Sequence, residues 1–182
     1  MSTTATAPQP TKVVTGRVRF SYLHVFEPSS IGDDGDAEKK YSASLIISKD
    51  DKEGLAKIRA AIDAALEIAK GKNKGKIPPN FKMPLRDGDI DRPEDEAYAN
   101  SFFLNCSSKT KPTVLDRNGE KITDEDEFYS GCFGRASINF YYFDVKANRG
   151  IAAGLNHLQK TKDALLGTDR NLRLANDKAQ DV

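Results

Sequence analysis

Residues 131–143 read GCFGRASINFYYF, a stretch in which Arg135 is the one charged side chain. From Ala136 the residues alternate. Ala136, Ile138, Phe140 and Tyr142 share one face, and Arg135, Ser137, Asn139, Tyr141 and Phe143 share the other. A period of two is the mark of a strand. The first face reads as core. The second carries a cation, an amide and flat rings where a wet strand face usually carries charge and threonine. Such a surface suits a single-stranded nucleic acid, whose phosphates need cations and whose bases need rings. The competing reading is a central strand buried on both faces.

Working outward, residues 144–150 turn the chain and 151–158, IAAGLNHL, form the return strand. Its small residues Ala152, Ala153 and Gly154 permit close backbone approach. Upstream, 101–108, SFFLNCSS, is a third strand with Phe102, Leu104 and Cys106 on one face and Phe103, Asn105 and Ser107 on the other. Lys109 and Lys111 follow it, and Asn118-Gly119 marks a hairpin over 113–122. The first strand is 12–22, KVVTGRVRFSY. Val14, Gly16, Val18, Phe20 and Tyr22 face the core, Arg17 and Arg19 face away, and Gly16 suggests a bulge. Residues 24–40 read as a solvated loop, and 41–47, YSASLII, as the second strand. The acidic run 123–128 has no nucleophile beside it and carries no chemistry.

One long helix follows the second strand. Asp50 with Glu53 spells a capping box, Leu55, Ile58, Ile62, Leu66 and Ala69 recur at helical spacing, and Gly71 ends it. Residues 70–82, KGKNKGKIPPNFK, hold five lysines and no acid. They predict a flexible cationic loop whose Lys74, Lys76 and Phe81 reach a phosphate chain, or else a solubilising linker. Residues 83–100 alternate acids and arginines, which predicts a salt-bridged loop presenting Arg86 and Tyr98. Asp87, Asp89 and Asp91 are hard oxygen ligands, but Arg86 and Arg92 offset their charge and no His or Cys joins them, so no metal is expected.

The chain has 182 residues, 38% hydrophobic and 30% charged, with a formal net charge of +1. Attraction to a polyanion must therefore come from local clustering. Cys106 and Cys132 lack CxxC spacing and read as reduced core residues of a cytoplasmic protein, with a disulfide as the alternative. No apolar run is long enough to span a bilayer, and nothing marks the chain for export. Phosphate-loop, nucleophile-elbow, zincin and CxxC motifs are absent, so neither an enzyme nor a cofactor is expected. Residues 1–11 and 161–182 read as disordered or flexible tails around one domain, 12–160.

Five main strands, one helix and an extra hairpin give a mainly β fold, a partly open five-stranded oligonucleotide-binding (OB) barrel. The usual helix of that fold lies between the third and fourth strands. Here it follows the second, so either an early strand lies near 24–26 or the helix is an insertion. A ferredoxin-like α+β sandwich is the alternative, disfavoured for want of a second long helix.

The runs KVVTGRVRFSYLHVFEP, YSASLIISK, KMPLRDGD with RPEDEAY, KTKP, FYSGCFGRASINFYYF and GIAAGLNHLQK, in that order, resemble the single-stranded-DNA-binding proteins of phages and prophages. The likeness spans about residues 12–160. It implies an OB barrel, sequence-tolerant binding of single-stranded DNA in phage replication or recombination, and no catalysis. It also implies replication or recombination enzymes as partners, in the host cytoplasm. Such proteins often end in an acidic tail closed by an aromatic. The last residues here, NDKAQDV, include Lys178 and no aromatic, so tail-mediated recruitment is not carried over.

The DNA-binding set comes from the residues themselves. Arg17, Arg19, Lys109, Lys111 and Arg135 are expected to neutralise phosphates, with Lys74, Lys76 and Arg86 as further cations. Phe103, Tyr141, Tyr98 and Phe81 are expected to stack bases, and Asn139 shares their face. The residues do not fix the oligomeric state, for which a homodimer is the candidate. The rival classes are a protein-interaction or virion component and a magnesium nuclease built on the three aspartates.

Overall fold

The computed structural model describes residues 10–30, 38–146 and 148–163. Its strands are β1 (Lys12–Val14), β2 (Val18–Ser30), β3 (Lys39–Ser48), β4 (Leu85–Asp87), β5 (Ser101–Ser108), β6 (Thr113–Leu115), β7 (Phe133–Val145) and β8 (Asn148–Lys162). The helices are α1 (Lys52–Lys72) and the single turn α2 (Gly88–Asp91), followed by a 3-10 turn at Glu96–Tyr98.

Five strands close into a ring, β7-β2-β3-β5-β8 and back to β7. All ring pairings are antiparallel except β5 with β8. The ring is not a regular barrel, because β2 and β7 meet only through Val18 with Gly134 and Arg19 with Phe133. This is the partly open OB arrangement. β1, β4 and β6 add short edges to β7, β5 and β8.

The helix is an insertion after the second ring strand, since β2 is the first strand of the ring. The expected loop over 24–40 is corrected at both ends, as β2 runs on to Ser30 and β3 begins at Lys39. Two breaks hide this in the sequence. The chain bends at Gly16, splitting the expected 12–22 strand into β1 and β2. Tyr22 then adopts a left-handed φ of 47° at a register shift between Ser21 and His24. Each break changes which side chains point inward. Val18, Phe20 and Val25 are buried, while Val14 and Tyr22, expected inside, are 56% and 48% exposed. Thr15 is buried in the bend, where its Oγ1 accepts from Ala136 N at 3.0 Å.

The ring interior and the apolar stripe of α1 share one core. Phe20, Leu45, Leu104, Ile138 and Phe140 pack with Leu55, Ile58 and Ile62. Asp51, not Asp50, caps α1, because its carboxylate accepts from Gly54 N at 3.0 Å. The helix runs through Gly71 and stops at Asn73, whose side chain donates to Ala69 O, before Lys74 and Gly75 turn left-handed.

Cys106 and Cys132 are buried free thiols. Burial pushes their pKa values up to about 12 and about 11. Neither forms thiolate near neutrality, and the thiolate is the reactive species. The native protein should therefore resist alkylation at pH 8, while both thiols react once denatured. Rapid labelling of the native state, read by mass spectrometry, would contradict this.

β8 extends to Lys162, two residues beyond the expected domain end. Residues 1–9, 31–37, 147 and the tail from 164 lie outside the described residues. No described helix is long and apolar enough to cross a membrane.

Candidate nucleic-acid interface

With the even positions of β7 filling the core, its odd positions face outward, as do their cross-strand partners. One outward row runs Ser21, Ser44 and Asn105 across β2, β3 and β5. The next runs His24, Ser42 and Ser107, then Gly154 and Asn139 on β8 and β7. The floor is thus made of small polar side chains. Gly154 has a specific part in it. A Cβ there would lie 2.7 Å from Asn139 Oδ1, so only glycine lets the amide lie across β8.

Two clefts open on this floor and share Ser107. One, of about 440 Å³, lies against Tyr22, Arg92, Ser44 and Asn105. The other, of about 270 Å³, lies against Lys40, Lys109, Asn139 and Tyr141. Together they form a groove with an exposed ring at each end, Tyr22 at 48% and Tyr141 at 41%. Lys109 meets Glu38 at 3.2 Å, but both side chains are exposed and such a pair holds weakly.

The segment 83–100 folds onto the outer face below this groove. β4 pairs with β5, and Lys49 Nζ reaches Asp87 at 2.9 Å and Asp89 at 2.7 Å. Asp89 also accepts from Asn100 N at 3.0 Å. Lys49 and that amide hold the Asp89 carboxyl below its ordinary value, and the Lys49 ammonium is correspondingly raised by Asp89 and Asp87. Arg86 pairs with Asp91 at 3.0 Å. The three aspartates are thus engaged by cations, and no group of three metal-ligating side chains occurs among the described residues.

That folding corrects two expected base-stacking residues. Tyr98 and Phe103 are both 0% exposed, edge to face at 5.0 Å, with Tyr98 OH donating to Ser44 Oγ at 2.9 Å. They present no ring to solvent. They support arginines instead. The Arg86 guanidinium lies 5.3 Å over Phe103, and that of Arg92 lies 5.1, 5.0 and 5.3 Å over Tyr22, Tyr98 and Phe103.

The remaining expected residues divide by position. Asn139, Tyr141 and Lys109 meet at one end of the groove. Arg19 is the cross-strand neighbour of Ile46, which neighbours Phe103, which neighbours Arg86, so both arginines border the groove. Arg17 and Arg19 lie 5.1 and 5.8 Å over Phe133, with exposed Arg135 two residues along β7. Phe81 is not brought in. It stacks on Tyr142 at 6.3 Å, on the face of β7 opposite Tyr141, and exposed Lys74 and Lys76 belong to the same loop. Lys111 lines a separate cleft of about 250 Å³ with Val25 and Phe26. The clefts also bring in Tyr22, His24, Lys40, Asn105 and Arg92, which sequence reasoning did not single out. Asn105 was legible, as it shares the outward face of Phe103. Tyr22 was not, since nothing in a periodic pattern marks a single reversed φ.

The family model described as Enterobacter phage Enc34, ssDNA-binding protein, matches residues 11–173. A protein designated p50 from Acyrthosiphon pisum secondary endosymbiont phage 1 is 32% identical over 160 residues, covering 84% of each chain. The solved single-stranded DNA-binding protein of bacteriophage Enc34, in complex with ssDNA, superposes with a TM-score of 0.71 at 27% identity. The match covers 86% of this chain and 90% of that one. The bacteriophage T7 protein gp2.5, a single-stranded DNA-binding protein, shares the fold at a TM-score of 0.57 and 14% identity, over 85% of this chain and 93% of that one.

Proposed function

This chain belongs to the Enterobacter phage Enc34 ssDNA-binding protein family, and on that premise we propose that it binds single-stranded DNA along the outer groove of its ring. The observation that carries this reading is the groove itself, with an exposed ring at each end, cations beside both rings and a floor of small polar groups between them. Stacking on Tyr22 and Tyr141 accepts any base, so binding is sequence-tolerant. Arg19, Arg86, Arg92, Lys40 and Lys109 supply the phosphate-neutralising charge around the groove, with Arg17 and Arg135 at its flank.

The role that fits this binding is protection and organisation of ssDNA during phage replication or recombination in the host cytoplasm. Enzymes of those processes are the fitting partners, and a homodimer the fitting assembly. A fluorescence titration with labelled oligonucleotides at several salt concentrations tests the binding. Single strands should bind more tightly than duplex of the same length. The logarithm of affinity should fall with that of salt, with a slope of roughly −0.7 per phosphate contacted. Equal binding of duplex and single strand would overturn the reading. A mass measurement of the free protein, run alongside, tests the dimer.

A further inference from the structure

Arg92 is held differently from the other cations of its segment. Arg86 and Lys49 are matched by Asp91, Asp87 and Asp89 at 2.7 to 3.0 Å. Among the described residues no carboxylate lies within ion-pair distance of Arg92, and its side chain donates no hydrogen bond to them. What holds it is aromatic. Three rings, Tyr22, Tyr98 and Phe103, lie within 5.0 to 5.3 Å of its central carbon. Two of them are fully buried, and Tyr98 is fixed further by its bond to Ser44.

A guanidinium has a π face and an N–H edge, and the two bind different things. The face stacks on rings, and the planar edge donates paired hydrogen bonds to oxyanions. In Arg92 three protein rings crowd the central carbon, and its N–H groups make no hydrogen bond among the described residues. The edge is left, half-buried, at the wall of the cleft that also holds Tyr22 and Asn105. A partly desolvated cation with donors to spare attracts an anion more strongly than a solvated lysine does. From this we infer that Arg92 is the phosphate-clamping residue at the Tyr22 end of the groove. It takes one backbone phosphate by its edge while Tyr22 stacks the adjoining base, and Tyr98 and Phe103 act as positioning residues that hold the guanidinium. The inference rests on the ssDNA-binding reading and assigns within it a contact that sets the register of the strand.

Ring stacking and phosphate contact differ in salt dependence, which makes the two separable. Arg92→Gln keeps a planar polar end and removes the charge. It should weaken binding of a labelled oligothymidine about tenfold or more and make the salt slope shallower by about 0.7. Arg92→Lys keeps the charge but not the planar fork, so it should retain the parental slope with reduced affinity. Arg117→Ala, at the exposed tip of the 113–122 hairpin, controls for general charge loss and should leave the slope in place. Circular dichroism confirms that each variant is folded, and Arg92→Lys alone still tests the inference if Arg92→Gln is not. An Arg92→Gln slope equal to the parent's, or Arg92→Lys binding at parental affinity, would overturn the assignment. Failure of the parent to bind the oligonucleotide at all would instead refute the reading beneath it.

Discussion

The double variant Tyr22→Ala, Tyr141→Ala is expected to lose roughly 30-fold to more than 10⁴-fold in affinity for single-stranded DNA. Each base–ring stack contributes about 1–3 kcal/mol. The two should add, because they occupy opposite ends of the groove. Tyr22 and Tyr141 line different clefts of that groove and neither lines the other's, and substitutions without a shared partner usually add. Neither ring carries charge, so the salt slope should stay at the parental value while the whole line drops. Both rings are exposed, so the melting temperature should move little. Fluorescence titration of the single and double variants checks all three statements. Parental affinity in the double variant would sink the groove as the DNA-facing surface.

Tyr22 allows a sharper version of the same test. A bulky side chain at a φ of 47° is strained by about 1–2 kcal/mol, and strain of this kind concentrates at binding and catalytic sites. Tyr22→Gly removes both the strain and the ring. It should therefore leave the fold as stable as the parent, or more so, while still losing affinity. Loss of binding without loss of stability separates a functional ring from a structural one.

The strands of the ring were legible because period-two burial follows directly from which faces are packed. Ala136, Ile138 and Phe140, like Leu104 and Cys106, are buried as their alternation requires. The place of α1 was legible too, from the stripe of Leu55, Ile58 and Ile62. The site was legible only in part, for two physical reasons. Alternation assigns a residue to a face without saying whether another segment covers it. Phe103 does point outward, yet the 83–100 segment lies over it, and the latch that holds that segment joins Lys49 to Asp87 and Asp89 across 38 and 40 positions. Local irregularity also resets parity. The bend at Gly16 and the bulge at Tyr22 turn one apparent strand into two and bring out a ring that alternation places inside. Charge density alone does not place the loop 70–82, for a related reason. A lysine-rich stretch looks the same whether it borders the groove or lies behind β7, and Phe81 on Tyr142 puts it behind.

Gly134→Ala is expected to cost about 3 kcal/mol or more of folding stability, close to the upper end for a single methyl. Gly134 stands where β7 pairs with both of its ring neighbours, Val18 on β2 and Lys160 on β8. A Cβ there would press into the Gln159 carbonyl oxygen, closer than any van der Waals contact allows, and come within 2.7 Å of the Phe20 ring. The oxygen belongs to backbone, so no rotamer change relieves it, and the ring is packed in the core. Either β7 moves away from β8, or the β2–β7 seam, which has only two residue pairs, gives way. Gly154→Ala makes the contrast. Its Cβ meets the end of the Asn139 side chain, which can swing aside, so that variant should lose stability far less than Gly134→Ala. At roughly 2–4 °C per kcal/mol for a domain of this size, Gly134→Ala should melt about 6–12 °C below the parent. A thermal or urea unfolding curve decides it. A Gly134→Ala midpoint within a degree of the parent's would mean that the ring does not close through this seam.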